Sequence, residues 1–352
     1  MSPPTDRKSY NLCSSSSWLT GLAVGASLWG LLWLALIAGQ LGQPHVNNIW
    51  VKEAYTLKQR AVSAAGDERK LLIVGGSASM FGVDSSLLES ELGLPVVNFG
   101  VNAGIGTYAL PALAEPHIKS GDVVVLPLEY RLLLWDGKPS YVTLSWALEH
   151  PKTLRDWRMV TWLYGIWQLP LQRVWEGYAG IPNNYSNDGP YGPHRLDRQG
   201  DQRFSAKSEQ SAAQLAYLRQ LPPEKYVKTL AASRLGLNLW AKWWHAWRDR
   251  GACLLVVPPP LMWHPEYDKP AWRNFFGQVG GRVESVGGFY MGSAADTFFP
   301  VEAMFDTNYH LSAEARVEYT SWLAQVVLAA DLPCLSGRTD GDGKPLYLSP
   351  MP

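Results

Sequence analysis

From Ser9 to Val51 the chain has no Asp, Glu, Lys or Arg, and within that stretch Trp18 to Leu41 is almost wholly apolar. As a helix this run would be about 36 Å long, enough to cross a bilayer core of about 30 Å. Arg7 and Lys8 precede it, so the excess of cationic residues on the cytoplasmic side predicts an N-terminus inside the cell. A cleaved signal peptide is the alternative. It fits less well, because the apolar run exceeds the usual ~7–15-residue signal core and no small-x-small cleavage site closes it. No cysteine follows to take a lipid. The sequence therefore predicts a cytoplasmic tail over 1–17, a single-pass signal anchor over 18–41 in the inner (cytoplasmic) membrane and a polar helical stalk within 42–70. Everything after about residue 45 is expected outside that membrane, in the periplasm or its equivalent.

Beyond the stalk, short apolar runs alternate with helical patterns. Leu71–Val74, Pro95–Phe99 and Asp122–Leu128 read as strands, and Asp84–Leu92 and Tyr108–Lys119 as helices, with Asp84 or Ser85 capping the first. Strands with unbroken apolar runs are buried on both faces, which predicts an α/β fold with a mainly parallel sheet and helices on each side. The alternation stops after Tyr130. The stretch 131–222 holds six of the chain's 17 Trp and a polar, Gly/Asn/Asp-rich loop from Gly180 to Gln202, which reads as an insertion. The pattern resumes with a helix to Arg250, a strand over Cys253–Val257, a possible last strand over Arg282–Ser285, and a helix over Ser312–Ala329 with Ser312 as N-cap. The extracytoplasmic domain is placed at 71–335, with a loosely ordered polar tail from Pro333. Trp240, Trp243, Trp244 and Trp247 share one helix face, suited to packing on the sheet or to docking a partner or membrane.

The 31 basic and 31 acidic residues cancel, which gives no footprint for nucleic acid. No Cys-x-x-Cys or His-Glu-x-x-His spacing argues for a metal, and no cofactor is expected. Cys253 and Cys334 would both lie in an oxidising compartment, as a disulfide or as buried free thiols.

Chemistry is concentrated in two short segments. Leu71–Val74 runs into Gly75-Gly76-Ser77, and Asp306-Thr307-Asn308-Tyr309-His310 comes just before the last helix. A serine hydroxyl needs a base to become a nucleophile, and the base needs an acid to hold its tautomer. In open α/β sheets, sites form outside the carboxyl ends of the strands, where both segments can meet. Taken singly, the first segment could be a helix-capping turn or a phosphate cradle, and the second a capped turn with a structural histidine. Together they make Ser77, His310 and Asp306 the candidate catalytic set.

These residues resemble the SGNH/GDSL hydrolase superfamily over roughly Leu71–Glu129 and Cys253–Ala329. Its Gly-Asp-Ser block reads Gly75-Gly76-Ser77 here. Its second block corresponds to Asn98-Phe99-Gly100-Val101-Asn102-Ala103-Gly104, which makes Gly100 the implied oxyanion donor. The third block, Gly-x-Asn-Asp, is replaced by Leu126-Pro127-Leu128-Glu129-Tyr130, so Asn102 stands in as a candidate second donor. In the Asp-x-x-His block the acid is Asp306, four residues before His310, with Thr307 at the usual spacing. The plan is similar to the membrane-anchored branch found beside membrane-bound O-acyltransferases in envelope-polymer acylation. That resemblance implies a three-layer, flavodoxin-like domain carrying an acyl-serine intermediate, and transfer to, or hydrolysis from, a polysaccharide hydroxyl. It also implies a membrane-bound acyltransferase as partner. The alternative is a non-catalytic accessory or polysaccharide-binding subunit of such a complex.

Overall fold

A computed structural model describes residues 15–187, 191–226 and 233–336. Arg7, Lys8, Cys13 and the C-terminal tail from 337 lie outside the described residues. The chain opens with α1 (Ser15–Ala38), whose stretch Trp18–Ala38 is long and apolar enough to cross a membrane and is almost entirely exposed. Next come α2 (Val46–Ala64), β1 (Leu71–Ile73), α3 (Ser77–Gly82), α4 (Ser85–Leu92), β2 (Val96–Asn98), α5 (Ala109–Ala114) and β3 (Val123–Pro127). The helices α6 (Tyr130–Leu133), α7 (Tyr141–Glu149), α8 (Met159–Gln168), α9 (Leu171–Ala179) and α10 (Ala212–Leu218) form the inserted region. The rest comprises α11 (Leu235–Asp249), β4 (Cys253–Val257), β5 (Leu261–Met262), α12 (Pro270–Glu284), β6 (Phe298–Phe299), α13 (Ala313–Ala329) and α14 (Pro333–Ser336).

Strands β2-β1-β3-β4 form one parallel sheet in that order, and β5-β6 form a second small parallel pair. Alternate residues of each strand enter opposite cores. Leu72, Val74, Val97, Val124, Leu126, Leu254 and Val256 face one side. Leu71, Ile73, Val96, Val123, Val125, Leu255 and Val257 face the other. The first core takes helices α2 and α11, with Trp240, Trp244 and Trp247 buried in it, so that tryptophan face is packing. The second takes α4 and α13. Asp84 caps α4 by accepting the Leu87 N–H, and Ser312 caps α13 by accepting that of Ala315. Each satisfies an amide that the helix start leaves orphaned.

Four expectations need correction. The segment read as a stalk is not free: α2 buries Asn48, Val51, Ala54, Tyr55, Lys58 and Val62 against the domain. Its buried polar residues hid the packed face. Residues Arg282–Ser285 form no strand, because Trp272, Phe275, Val279 and Val283 recur at helical spacing and bury one face of α12. The position beyond β4 is filled instead by a single parallel bridge between Val256 and Tyr290. The helix expected over Tyr108–Lys119 is α5 followed by a short 3-10 turn over Glu115–His117. Finally, the chain at Pro333–Ser336 is not loose: Leu332 and Cys334 are buried, and Cys334 is disulfide-bonded to Cys253 of β4. This bond closes a loop of 81 residues, a constraint on the unfolded chain of about 4 kcal/mol by chain-entropy reasoning.

Candidate active site

The sheet order reverses direction between β1 and β3, and ligands of doubly wound sheets bind at that switch point. Ser77 sits there as the first residue of α3, with Gly76 as its N-cap. Two glycines are required by space. A Cβ on Gly75 would lie 2.4 Å from Ser79 Oγ, and one on Gly76 would lie 2.2 Å from Glu129 Oε1 and 2.4 Å from Ala103 Cβ. Glu129 follows β3 and is buried. Its carboxylate accepts the N–H of Gly76 at 3.1 Å and of Ala78 at 3.0 Å, bracketing Ser77 on both sides. The serine turn is thus held by a side chain from the neighbouring strand end.

Asp306 and His310 share one small hairpin, closed by the Met304–Leu311 bridge and by the Phe305 N–H donating to His310 O at 2.7 Å. Thr307 serves the turn, its Oγ1 accepting the Tyr309 N–H. The hairpin brings His310 Nδ1 within 2.6 Å of Asp306 Oδ1, so four-residue spacing suffices. The imidazole is buried and lies flat on Phe81, ring centroids 3.9 Å apart and planes 1° from parallel. The second carboxylate oxygen accepts the Tyr191 hydroxyl at 2.6 Å. Burial pushes the Asp306 pKa up, but the bonds from His310 and Tyr191 outweigh it and hold the group below its ordinary value. Burial, followed by the Asp306 charge and hydrogen bond, raises the Tyr191 hydroxyl well above the usual tyrosine range.

Ser77, Asn102, Glu129, Tyr191, Asp306's partner His310 and Trp50 line one cavity of about 270 Å³. An adjoining hollow of about 510 Å³ shares Arg131, Glu224 and Asn308 with it and adds Trp135 and Lys225. No hydrogen bond joins Ser77 to His310; catalytic contacts of this kind often tighten only in the Michaelis complex. Of the two expected oxyanion donors, Gly100 is not available. Its N–H is given to Asn98 Oδ1 at 2.9 Å, and the residue packs against Ser79 and Gly76 instead of lining the cavity. Asn102 does line it. Its Oδ1 accepts the Gly104 N–H at 2.8 Å, which orients Nδ2, and Nδ2 has no hydrogen-bond partner among the described residues.

A buried charge network lies behind the serine turn. Lys58 Nζ donates to the carbonyls of Asn98 (2.8 Å) and Gly200 (2.6 Å). Asp201 accepts from Ser85 N–H (2.5 Å), Ser85 Oγ (2.8 Å) and Asn98 Nδ2 (2.7 Å). Burial lowers the Lys58 pKa, opposed by Asp201 and Asp197, and raises that of Asp201.

Of the residues singled out in the sequence, the structure brings Ser77, Asn102 and His310 to one cavity with Asp306 behind His310, and leaves Gly100 outside it; Glu129, Tyr191 and Phe81, which touch them, were not singled out as partners. One signal was present for Glu129: a glycine where the resemblance puts an aspartate, and a glutamate where it puts an asparagine. No cluster of three His, Cys, Asp or Glu able to hold a metal occurs among the described residues. In comparisons with known proteins, no family model, no curated protein and no solved structure matches the chain.

Proposed function

We propose that this protein is a membrane-anchored serine acyltransferase or esterase acting on O-acyl groups of a cell-envelope or exopolysaccharide. The observation that carries the reading is the Asp306–His310 pair, bonded at 2.6 Å, clamped on Phe81 and opening onto the cavity that holds Ser77. With Nδ1–H given to Asp306, Nε2 keeps its lone pair and takes the Ser77 proton as Oγ attacks an acyl carbonyl. Asp306 stabilises the resulting imidazolium. The tetrahedral oxyanion is met by the Ser77 N–H and Asn102 Nδ2. When it collapses, His310 protonates the leaving alcohol, and acyl-Ser77 remains. A sugar hydroxyl or water then gives His310 its proton and attacks the ester, and His310 passes that proton to Ser77 Oγ as it leaves. Trp135, in the adjoining hollow, has the face needed to stack on a sugar.

The reading places the catalytic domain outside the cytoplasmic membrane, as a three-layer SGNH-like domain held by α1. The Cys253–Cys334 bond supports an oxidising compartment. A membrane-bound O-acyltransferase would supply the acyl group.

One observation favours a second reading, a non-catalytic accessory subunit of a polysaccharide-acylating complex. Glu129 occupies two N–H groups beside Ser77, and its charge opposes an oxyanion. A fluorophosphonate probe separates the two. An activated serine is labelled in the wild type and unlabelled in Ser77→Ala, with labelling slowed about 10²-fold or more in His310→Ala. A folded wild type that takes no label at Ser77 supports the accessory reading.

A further inference from the structure

We propose that α8 and α9 form a membrane-interface element, seated in the headgroup region of the same bilayer that α1 crosses. The inference rests on the anchor reading. Outside α1, these two helices carry the densest run of exposed large hydrophobic residues among those described, including Met159, Leu163, Trp167, Leu171, Trp175 and Tyr178. Trp167 is 88% exposed and Trp175 76%. Soluble surfaces rarely leave such a contiguous patch to water.

Charge is absent from the same face. Between Met159 and Ala179 only Arg173 and Glu176 are charged. Arg173 is buried and donates to Ser145 Oγ and Gln40 Oε1. Glu176 is engaged by His45 and Tyr141 from the domain side and by Gln172 one turn earlier on α9. Lys152, Arg155 and Arg158 are exposed just before α8 with Asp156 among them, and the net positive charge of that stretch suits anionic headgroups. Tryptophan and tyrosine on one face beside cationic residues make the composition of a helix lying in a membrane interface.

Lipid is chosen over a protein partner because the patch is continuous with α1. Trp33 Nε1 of α1 donates to Ile166 O of α8 at 3.1 Å, and Tyr178 OH of α9 donates to Leu36 O at 3.1 Å. Ile37 is buried among Leu144, Leu148, Leu169 and Val174. Trp33 lies about 7.5 Å along the axis from the Ala38 end of α1. That depth falls within the about 5–10 Å to which interfacial helices sink. Any bilayer that encloses α1 therefore meets α8 and α9 at its surface. The element also joins the cavity by short paths. Thr143 of α7 donates to Gly104 O at 2.8 Å beside Asn102, and Trp50 of α2 lines the cavity itself. It thus fixes the height of the Ser77 cavity above the membrane.

The test uses the full chain in nanodiscs containing phosphatidylglycerol, on a Cys13→Ser background that leaves the disulfide intact. Single nitroxides are attached at Trp167→Cys, Trp175→Cys, Leu28→Cys and Glu318→Cys, and collision with oxygen is compared with collision with an aqueous nickel chelate. Labels at 167 and 175 are expected to favour oxygen severalfold over the label at 318, and less than the label at 28. Aqueous behaviour at 167 and 175 with a lipid-buried label at 28 overturns the inference and leaves the anchor standing. An aqueous label at 28 overturns the anchor reading itself. Spin–spin broadening at 167 or 175 means a second copy covers the face, and also overturns it.

Discussion

Ser77, Asn102 and Glu129 stand just beyond three neighbouring parallel strands, whereas Tyr191 and Asp201 come from the inserted region between β3 and α11, which adds no strand to the main sheet. Both regions reach the same centre by different physics. Strands β1 and β3 are held by ladder hydrogen bonds on both sides and the edge strand β2 on one, so residues two to four positions beyond their ends inherit a fixed position. The inserted region contributes by satisfying charges that the sheet has buried. Tyr191 donates to Asp306, and the loop around Asp201 surrounds Lys58. Strand ends hold Ser77, Asn102 and Glu129, and the insertion supplies hydrogen bonds to the charged groups around them.

The most damaging way to break this division is to place a second acid beside Glu129, at Gly76. Gly76→Asp drives a Cβ into the Glu129 carboxylate and Ala103 and adds a second buried carboxylate. Overpacking and like-charge repulsion together should cost about 3 kcal/mol or more. Labelling of Ser77 by a fluorophosphonate should disappear. Combining Gly76→Asp with Glu129→Ala removes the clash, so the double variant should be more stable than Gly76→Asp alone. Chemical denaturation of the four proteins of that cycle gives the coupling directly. Additive effects would mean that Glu129 does not clamp the turn.

The same pair explains what could be read from the sequence. The strands were legible because burial on both faces leaves an unbroken apolar run, as in Val123–Leu126. The Asp306–His310 pair was legible because its whole hairpin lies within one short segment. Glu129 was visible as a departure from a pattern, but its bonds to Gly76 and Ala78 cross 53 and 51 positions. No local periodicity encodes such a contact. Tyr191 lies in a loop whose composition says only that it is a loop. Asn48 and Lys58 made α2 look solvated, because a buried lysine satisfied by carbonyls leaves the same mark on a sequence as an exposed one.

Lys58 offers a smaller test, now on the insertion side. Burial lowers its pKa below the ordinary 10.5. The unfolded chain then binds more protons than the folded one between the lowered value and 10.5, so this group makes stability rise with pH across that window. Asp201 is raised from 3.8 and acts with the opposite sign at lower pH, where stability falls as pH increases. Thermal unfolding of wild type and Lys58→Met in the same detergent should therefore diverge in favour of the wild type between pH 7 and 10. A constant difference would mean that the folded protein keeps the lysine charged, with the insertion supplying full compensation.

The smallest effect is expected at Tyr191, and it sharpens the comparison most. Tyr191→Phe removes one donor from Asp306 while leaving the His310 bond and the Phe81 stack in place. Asp306 is partly reachable by water, its side chain 12% exposed, so a solvent molecule can replace part of the lost bond. Loss of about 1.4 kcal/mol of orientation corresponds to about tenfold in rate. The expected result is that fall in kcat on a small acyl ester with KM unchanged. A titration of the carboxyl itself distinguishes charge tuning from mere packing. Asp306 is held below 3.8 partly by this hydroxyl, so its pKa in the variant should rise. Carbon-13 NMR of labelled aspartate reads that rise directly, which the acid limb of the rate does not, because the orienting acid of such a set stays ionised through the reaction. If the rate falls and the carboxyl titration does not move, Tyr191 only packs against the hairpin, and the insertion's hold on the site's charge reduces to Asp201.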